Sequence, residues 1–141
     1  MGYGLPAAIA AALRRPDKLT LCFAGDGCFQ MTGQELGTAV QSGARMVILI
    51  VDNGMYGTIR MHQERAYPGR ISATTLRNPD FAALARAYGT YGETVRTDAD
   101  FPAAFARAHA AAEETYAPAV LHLITDPEAI TPTATLTDLR T

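Results

Sequence analysis

Two six-residue runs with almost no polar interruption constrain this chain most: Leu19-Thr20-Leu21-Cys22-Phe23-Ala24 and Met46-Val47-Ile48-Leu49-Ile50-Val51. Strands that face water on one side alternate apolar with polar residues, whereas continuous apolar runs mark strands covered on both faces, as in a parallel sheet. Between the runs, Gln34 to Gln41 places Leu36, Ala39 and Val40 on one helical face, and Ser42-Gly43 closes the helix. The segment therefore reads as a βαβ unit. In such a unit the carboxyl ends of both strands share one edge, where open α/β sheets bind ligands.

At that edge the first run ends in Gly25-Asp26-Gly27 and the second is followed by Asn53-Gly54, with Asp26 and Asn53 27 residues apart. Asp26 offers a hard carboxylate and Asn53 a neutral carbonyl, and the Gly54-Met55 turn can aim a backbone carbonyl inward. Such a set suits Mg²⁺ or Ca²⁺ rather than zinc. Gly25 and Gly27 let the backbone approach an anion, and the N–H groups that follow Asp26 can point at it. Metal plus diphosphate is the natural reading of these residues. An unrelated Mg²⁺-dependent phosphate-binding α/β protein could use the same triplet.

The stretch GDGCFQMTGQELGTAVQSGARMVILIVDNG resembles the fingerprint of the thiamine diphosphate enzymes related to acetolactate synthase and the 2-oxo acid decarboxylases, and Met1–Ala10 resembles the segment just before that motif. The resemblance extends from Met1 to about Thr125. It implies that Asp26, the Asn53 side chain and the Met55 carbonyl bind Mg²⁺, with two diphosphate oxygens and a water completing the octahedron. It implies also that Gly25 belongs to the cofactor loop, that backbone N–H groups of Gly27 and Cys28 contact the diphosphate, and that Tyr56-Gly57 close over it. Met1, 25 residues before Asp26, matches the apolar side chain that wedges the cofactor into a bent shape, so that its own amino group reaches its reactive carbon. The cofactor carries the chemistry and the protein supplies geometry and electrostatics.

Two positions depart from the pattern. Asp52 stands where the family commonly has the first Asn of an Asn-Asn pair, which alters hydrogen bonding behind the metal and leaves Asn53 in the ligand position. In Gly57-Thr58-Ile59-Arg60-Met61-His62, which matches the segment at the substrate entrance, His62 stands where acetolactate synthases resemble one another in having Trp, and this chain has no Trp. Thr58, Ile59 and His62 are the candidate substrate contacts. No catalytic side chain is assigned, because the family's activating glutamate belongs to a pyrimidine-binding domain with no counterpart here. FAD, where a full-length enzyme uses it, would also lie upstream. The implied partners are that domain or subunit, within a homodimer or homotetramer, and a small 2-oxo acid. The implied activity is decarboxylation, followed by release of an aldehyde or condensation with a second carbonyl. The alternative is a cofactor-binding module or subunit without activity of its own.

A chain of 141 residues is one domain by size. A net charge of −2 and a pI near 5.9 give no electrostatic case for nucleic acid or an anionic membrane. Cys22 and Cys28 make neither a disulfide framework nor a zinc pattern, which fits a reducing compartment, with cytoplasm as the default. The apolar start lacks a basic n-region and contains Pro6, so it reads as a helix from Pro6 to Arg14 rather than a signal peptide. Beginning inside a family motif implies an N-terminally truncated domain with an uncovered sheet edge and dependence on a partner.

Further along, Gln63 to Thr75 reads as loop, and Asn78-Pro79 starts a helix carrying Phe81, Leu84, Ala85 and Tyr88 on one face. Gly92 to Arg96 is a short strand. Asp100 caps a helix from Pro102 to about Glu114, with Phe101 and Phe105 as core anchors, and Ala119 to Ile124 is a further apolar strand. The expected architecture is α/β: a doubly wound, mainly parallel sheet with helices on both faces. It spans residues 1–126, with 127–141 as a tail or partner-docking arm. His109 and His122 read as structural.

Overall fold

The computed structural model describes residues 1–131 and 133–140. Its strands β1 (Thr20–Gly25), β2 (Met46–Asp52), β3 (Tyr91–Val95) and β4 (Pro118–Ile124) form one parallel sheet in the order β1-β2-β4-β3. From β1 to β2 and from β2 to β3 the chain moves across the sheet in one direction, and from β3 to β4 it moves back. Right-handed crossovers taken in opposite directions put their helices on opposite faces. Accordingly α1 (Gly4–Arg14), α3 (Glu35–Ser42) and α5 (Phe81–Ala87) pack with Met46, Ile48, Ile50 and Val120 on one face. Helix α6 (Phe101–Thr115) packs with Val47, Leu49, Ala119 and Leu121 on the other. The sheet is thus doubly wound, as the sequence pattern predicts.

The two apolar runs have different fates. β2 is central, and Met46 to Ile50 are buried on both of its faces, each contributing on the order of 1.5–3 kcal/mol. β1 is an edge strand: Cys22 and Ala24 are buried beneath α1, while Leu21 and Phe23 on its other face are exposed, because α6 lies over the opposite half of the sheet. Coverage of β1 on both faces, expected from its composition, is not found.

Helix boundaries shift for identifiable reasons. The helix before β3 is capped by Asp80, whose Oδ1 accepts from Ala83 N at 2.9 Å, two residues after the Asn78 start read from the sequence. Asp100 does not cap α6; a 3₁₀ turn over Asp98–Asp100 precedes it, with Thr97 Oγ1 accepting from Asp100 N. The buried stripe of α6 is Ala104, Ala108 and Ala112, at i, i+4 and i+8, so the helix lies close against the sheet. Phe101 and Phe105 flank that contact, partly buried, instead of anchoring it.

The largest departure lies after β2. Gly57–Ala66 is a helix, α4, which takes in the start of the segment read as loop. Its pattern is obscured because the inward residues are Arg60 and Glu64 rather than apolar ones. Arg60 Nε and Nη2 donate to the hydroxyls of Thr74 and Thr75, at 2.5 and 2.9 Å, pinning the following loop against α4. Beyond β4, β5 (Ala129–Thr131) and β6 (Ala134–Thr135) form a small antiparallel pair, and a 3₁₀ turn covers Thr137–Arg140. This segment folds back on α4. Leu136 is buried, and Arg140 Nε and Nη2 donate to the buried Glu64 carboxylate at 3.0 and 2.9 Å. Among the described residues no helix is long and apolar enough to cross a membrane.

Candidate diphosphate and metal site

Register sets the site. Gly25 lies opposite Val51, so Asp26 and Asp52, each one residue further on, leave adjacent strands at the same level. Gly25 is extended, and Asp26, 4% exposed, opens the short helix α2 (Asp26–Gln30). Asp26 Oδ1 accepts from Gly27 N at 2.7 Å, and Oδ2 accepts from Gly54 N at 3.0 Å and Asn78 Nδ2 at 2.7 Å. A carboxylate offers about four lone-pair sites, so one remains, on Oδ1. Gly54 reaches both motifs because it turns the chain at φ +69°. Its N–H also points at Asp52 Oδ1, at 2.9 Å, while Asn53 Oδ1 accepts from Met55 N at 3.2 Å. Gly27 is fixed by packing: a Cβ there would stand 2.5 Å from the Tyr56 ring.

Charge in this cluster is unbalanced. Burial pushes the Asp26 carboxyl above the usual carboxylate range, outweighing the hydrogen bonds from Gly27 and Asn78. Asp52 is also disfavoured as an anion by burial, but hydrogen bonds from His122, Asn78 and Gly54 prevail and hold it below the usual range. His122 reads from the sequence as structural. It is buried, with Nε2 2.7 Å from Asp52 Oδ2 and its ring edge-on to Phe81.

Beside the cluster opens a cavity of about 630 Å³. Met1, Gly25, Asp26, Gly27, Cys28, Asn53, Met55, Tyr56 and Gly57 all line it, as do Thr58 and Ile59. His62 does not; it is exposed on the outer side of α4, one residue past Met61, which does face the cavity. Val51, Ala129, Ile130 and Thr131 complete the wall. The strap residues 129–131 gave no signal in the sequence, since nothing local marks a Thr- and Pro-rich stretch as part of a wall. Among the described residues no group of three or more His, Cys, Asp or Glu side chains gathers to hold a metal. A cation here would have a carboxylate, an amide and a backbone carbonyl, an all-oxygen set that fits Mg²⁺. The open lone pair on buried Asp26 Oδ1, with no Lys or Arg bound to that carboxylate, is where it would bind.

A parallel α/β sheet with a carboxylate and an amide at its carboxyl edge, beside a glycine-rich turn, places polar groups where open α/β sheets take their ligands. Residues 1–123 match the family described as thiamine pyrophosphate enzyme, C-terminal TPP binding domain, and the chain belongs to that family. It is 43% identical over 96 residues to the acetolactate synthase isozyme 2 large subunit of Escherichia coli K12, covering 67% of this chain and 18% of that one. It is also 43% identical over 103 residues to the mitochondrial acetolactate synthase catalytic subunit of Saccharomyces cerevisiae, covering 73% and 15%. Among solved structures, a thiamine diphosphate-dependent 4-hydroxybenzoylformate decarboxylase of Rhodococcus jostii RHA1 superposes with a TM-score of 0.76 at 32% identity, over 89% of this chain and 23% of that one. Benzoylformate decarboxylase of Polynucleobacter necessarius shares the fold, with a TM-score of 0.78 at 24% identity over 90% and 24%. The chain spans less than a fifth of the length of these acetolactate synthase relatives.

Proposed function

We propose that this chain is the Mg²⁺- and thiamine diphosphate-binding part of an enzyme that decarboxylates a 2-oxo acid and then releases an aldehyde or condenses the remainder with a second carbonyl. The observation that carries the reading is the open lone pair of a buried carboxylate, Asp26, at the wall of the cavity that also holds Asn53 and Met55. When bound, the cofactor supplies the electron sink for loss of CO₂. Asp26, the Asn53 side chain and the Met55 carbonyl hold the cation, whose role is to template the diphosphate rather than to activate water. Gly27 and Cys28, in the first turn of α2, present backbone N–H groups to the diphosphate. Met1 and Met55 give the cofactor an apolar support, and Thr58 and Ile59 on the first turn of α4 face the substrate. The remaining acid and the opposite wall come from a pyrimidine-binding domain or subunit, within an oligomer.

Calorimetric titration of thiamine diphosphate into the protein, with and without Mg²⁺, tests this reading. Binding should require the metal, and Asp26→Ala should weaken it roughly 100-fold or more, since loss of a ligand should exceed the usual cost of losing a group behind one. Metal-independent binding, or equal binding by the variant, would overturn it.

A further inference from the structure

Asn78 lies outside both sequence motifs and outside the cavity wall, in the turn before α5. Its two amide hydrogens are both used: Nδ2 lies 2.7 Å from Asp26 Oδ2 and 2.7 Å from Asp52 Oδ1, while Oδ1 accepts from Gln30 Nε2 at 2.7 Å. The Gly54 N–H makes the same pair of contacts from the other side, at 3.0 and 2.9 Å. Two donors thus tie two carboxylates into one unit. The remaining Asp52 oxygen, Oδ2, lies 2.7 Å from His122 Nε2. An ionised carboxylate only accepts, so Nε2 carries the proton. The other ring nitrogen, Nδ1, is buried without a hydrogen-bond partner among the described residues, its nearest charged neighbour being Asp80 Oδ1 at 3.9 Å.

We infer that Asn78, together with the Asp52–His122 pair, positions Asp26 for the cation, an inference that rests on the metal-binding reading above. Gly54 and Asn78 fill the lone pairs of Asp26 Oδ2, so the carboxylate cannot turn that oxygen toward the cavity without breaking two bonds. Oδ1 is left as the atom with room for a ligand. Asp52 is the post to which both donors are also fastened, and His122 fixes the post from behind. An Asn at position 52 could still accept from Asn78, but its amide would present hydrogens to His122 and demand the opposite tautomer. Asp52 and His122 are therefore a matched pair.

The test is the Mg²⁺ affinity of the protein with thiamine diphosphate present, measured by calorimetry beside the melting temperature. Asn78→Ala should weaken Mg²⁺ binding about 10- to 100-fold, the usual consequence of losing a group behind a metal ligand. His122→Leu should cost about tenfold, whereas His122→Gln, which keeps a donor near the same place, should stay within about threefold of the wild type. Separately, ¹⁵N spectra of the imidazole should show the Nε2–H form in the wild type and the Nδ1–H form in Asp52→Asn. A purely structural network would lower the melting temperature of these variants and leave Mg²⁺ affinity intact. That result, with wild type binding and Asp26→Ala not binding, would overturn the positioning role alone. If His122→Leu does not fold, Asn78→Ala and the tautomer decide, and a wild-type Nδ1–H signal overturns the pairing. Failure of the wild type to bind Mg²⁺ would remove both readings.

Discussion

This molecule buries carboxylates in two places and treats them differently. Glu64, 1% exposed on the inner side of α4, is met by the Arg140 guanidinium through two bonds and by Gly69 N at 2.8 Å. Asp26 and Asp52 are also buried, yet among the described residues their partners are amides and one imidazole, with no Lys or Arg in contact. Removing a carboxylate from water is costly unless a counter-charge or sufficient donors replace the solvent. Around Glu64 the counter-charge is built in, so the pair is complete and its work is to hold the C-terminal segment. Around Asp26 it is not, and the deficit is what a divalent cation would supply. The difference separates a completed ion pair from a carboxylate pair held without a cationic side chain more clearly than burial does.

Breaking the fastening gives the largest effect. Arg140→Ala leaves Glu64 with the Gly69 N–H alone and should lower the melting temperature by roughly 5 °C or more, while Mg²⁺ affinity changes less than about threefold. Replacing both partners with Met should recover part of that loss, because no charge is then stranded. Scanning fluorimetry and calorimetry on the same samples check both parts.

A smaller effect separates the two centres by acidity. Glu64 is held below its usual range, first by Arg140 and then by Gly69. Its contribution to stability is therefore present above the ordinary glutamate value near 4.3 and lost as pH falls through the lower folded value. Asp26 is displaced the other way by burial. In the metal-free protein its ionisation opposes folding as pH rises through that raised value, and a proton competes with the cation as pH falls. The gain in melting temperature from Mg²⁺ plus thiamine diphosphate should shrink as pH falls through the raised Asp26 value, above the ordinary aspartate value near 3.9, while the deficit of Arg140→Ala should persist until below about pH 4.3. Both trends shrinking together would erase the distinction. The smallest effect is expected at His62, exposed and outside the cavity. His62→Ala should alter stability by less than about 0.5 kcal/mol and thiamine diphosphate affinity less than about twofold, read by scanning fluorimetry and calorimetry.

What the sequence made legible follows the same division. The β1–α3–β2 unit and the placing of Asp26 and Asn53 could be read because period, composition and separation are local signals, and register then carries them to one edge. Helix α4 was half hidden, since its inward residues Arg60 and Glu64 look like surface. The stripe of α6 is hard to see in the sequence, where Phe101 and Phe105 stand out although they only pack partly buried beside it, because alanines at i, i+4 and i+8 register weakly as apolar. His122 and Arg140 escaped for a further reason: their meaning lies in partners 70 and 76 residues away, Asp52 and Glu64. No local pattern encodes such a pairing.

The network around Asn78 also dates the site within the folding reaction. Asn78 meets Asp26 across 52 residues and His122 meets Asp52 across 70, and contacts of such separation close late because the intervening chain must first give up its freedom. A partly folded molecule with only β1, α3 and β2 in place would hold the proposed ligand residues of the two motifs and the Gly54 donor, but not Asn78 or His122. On the proposed metal-binding reading, affinity for the cation would report the docking of β4 and of the turn that carries Asn78, and a metal titration during refolding would follow completion of the sheet.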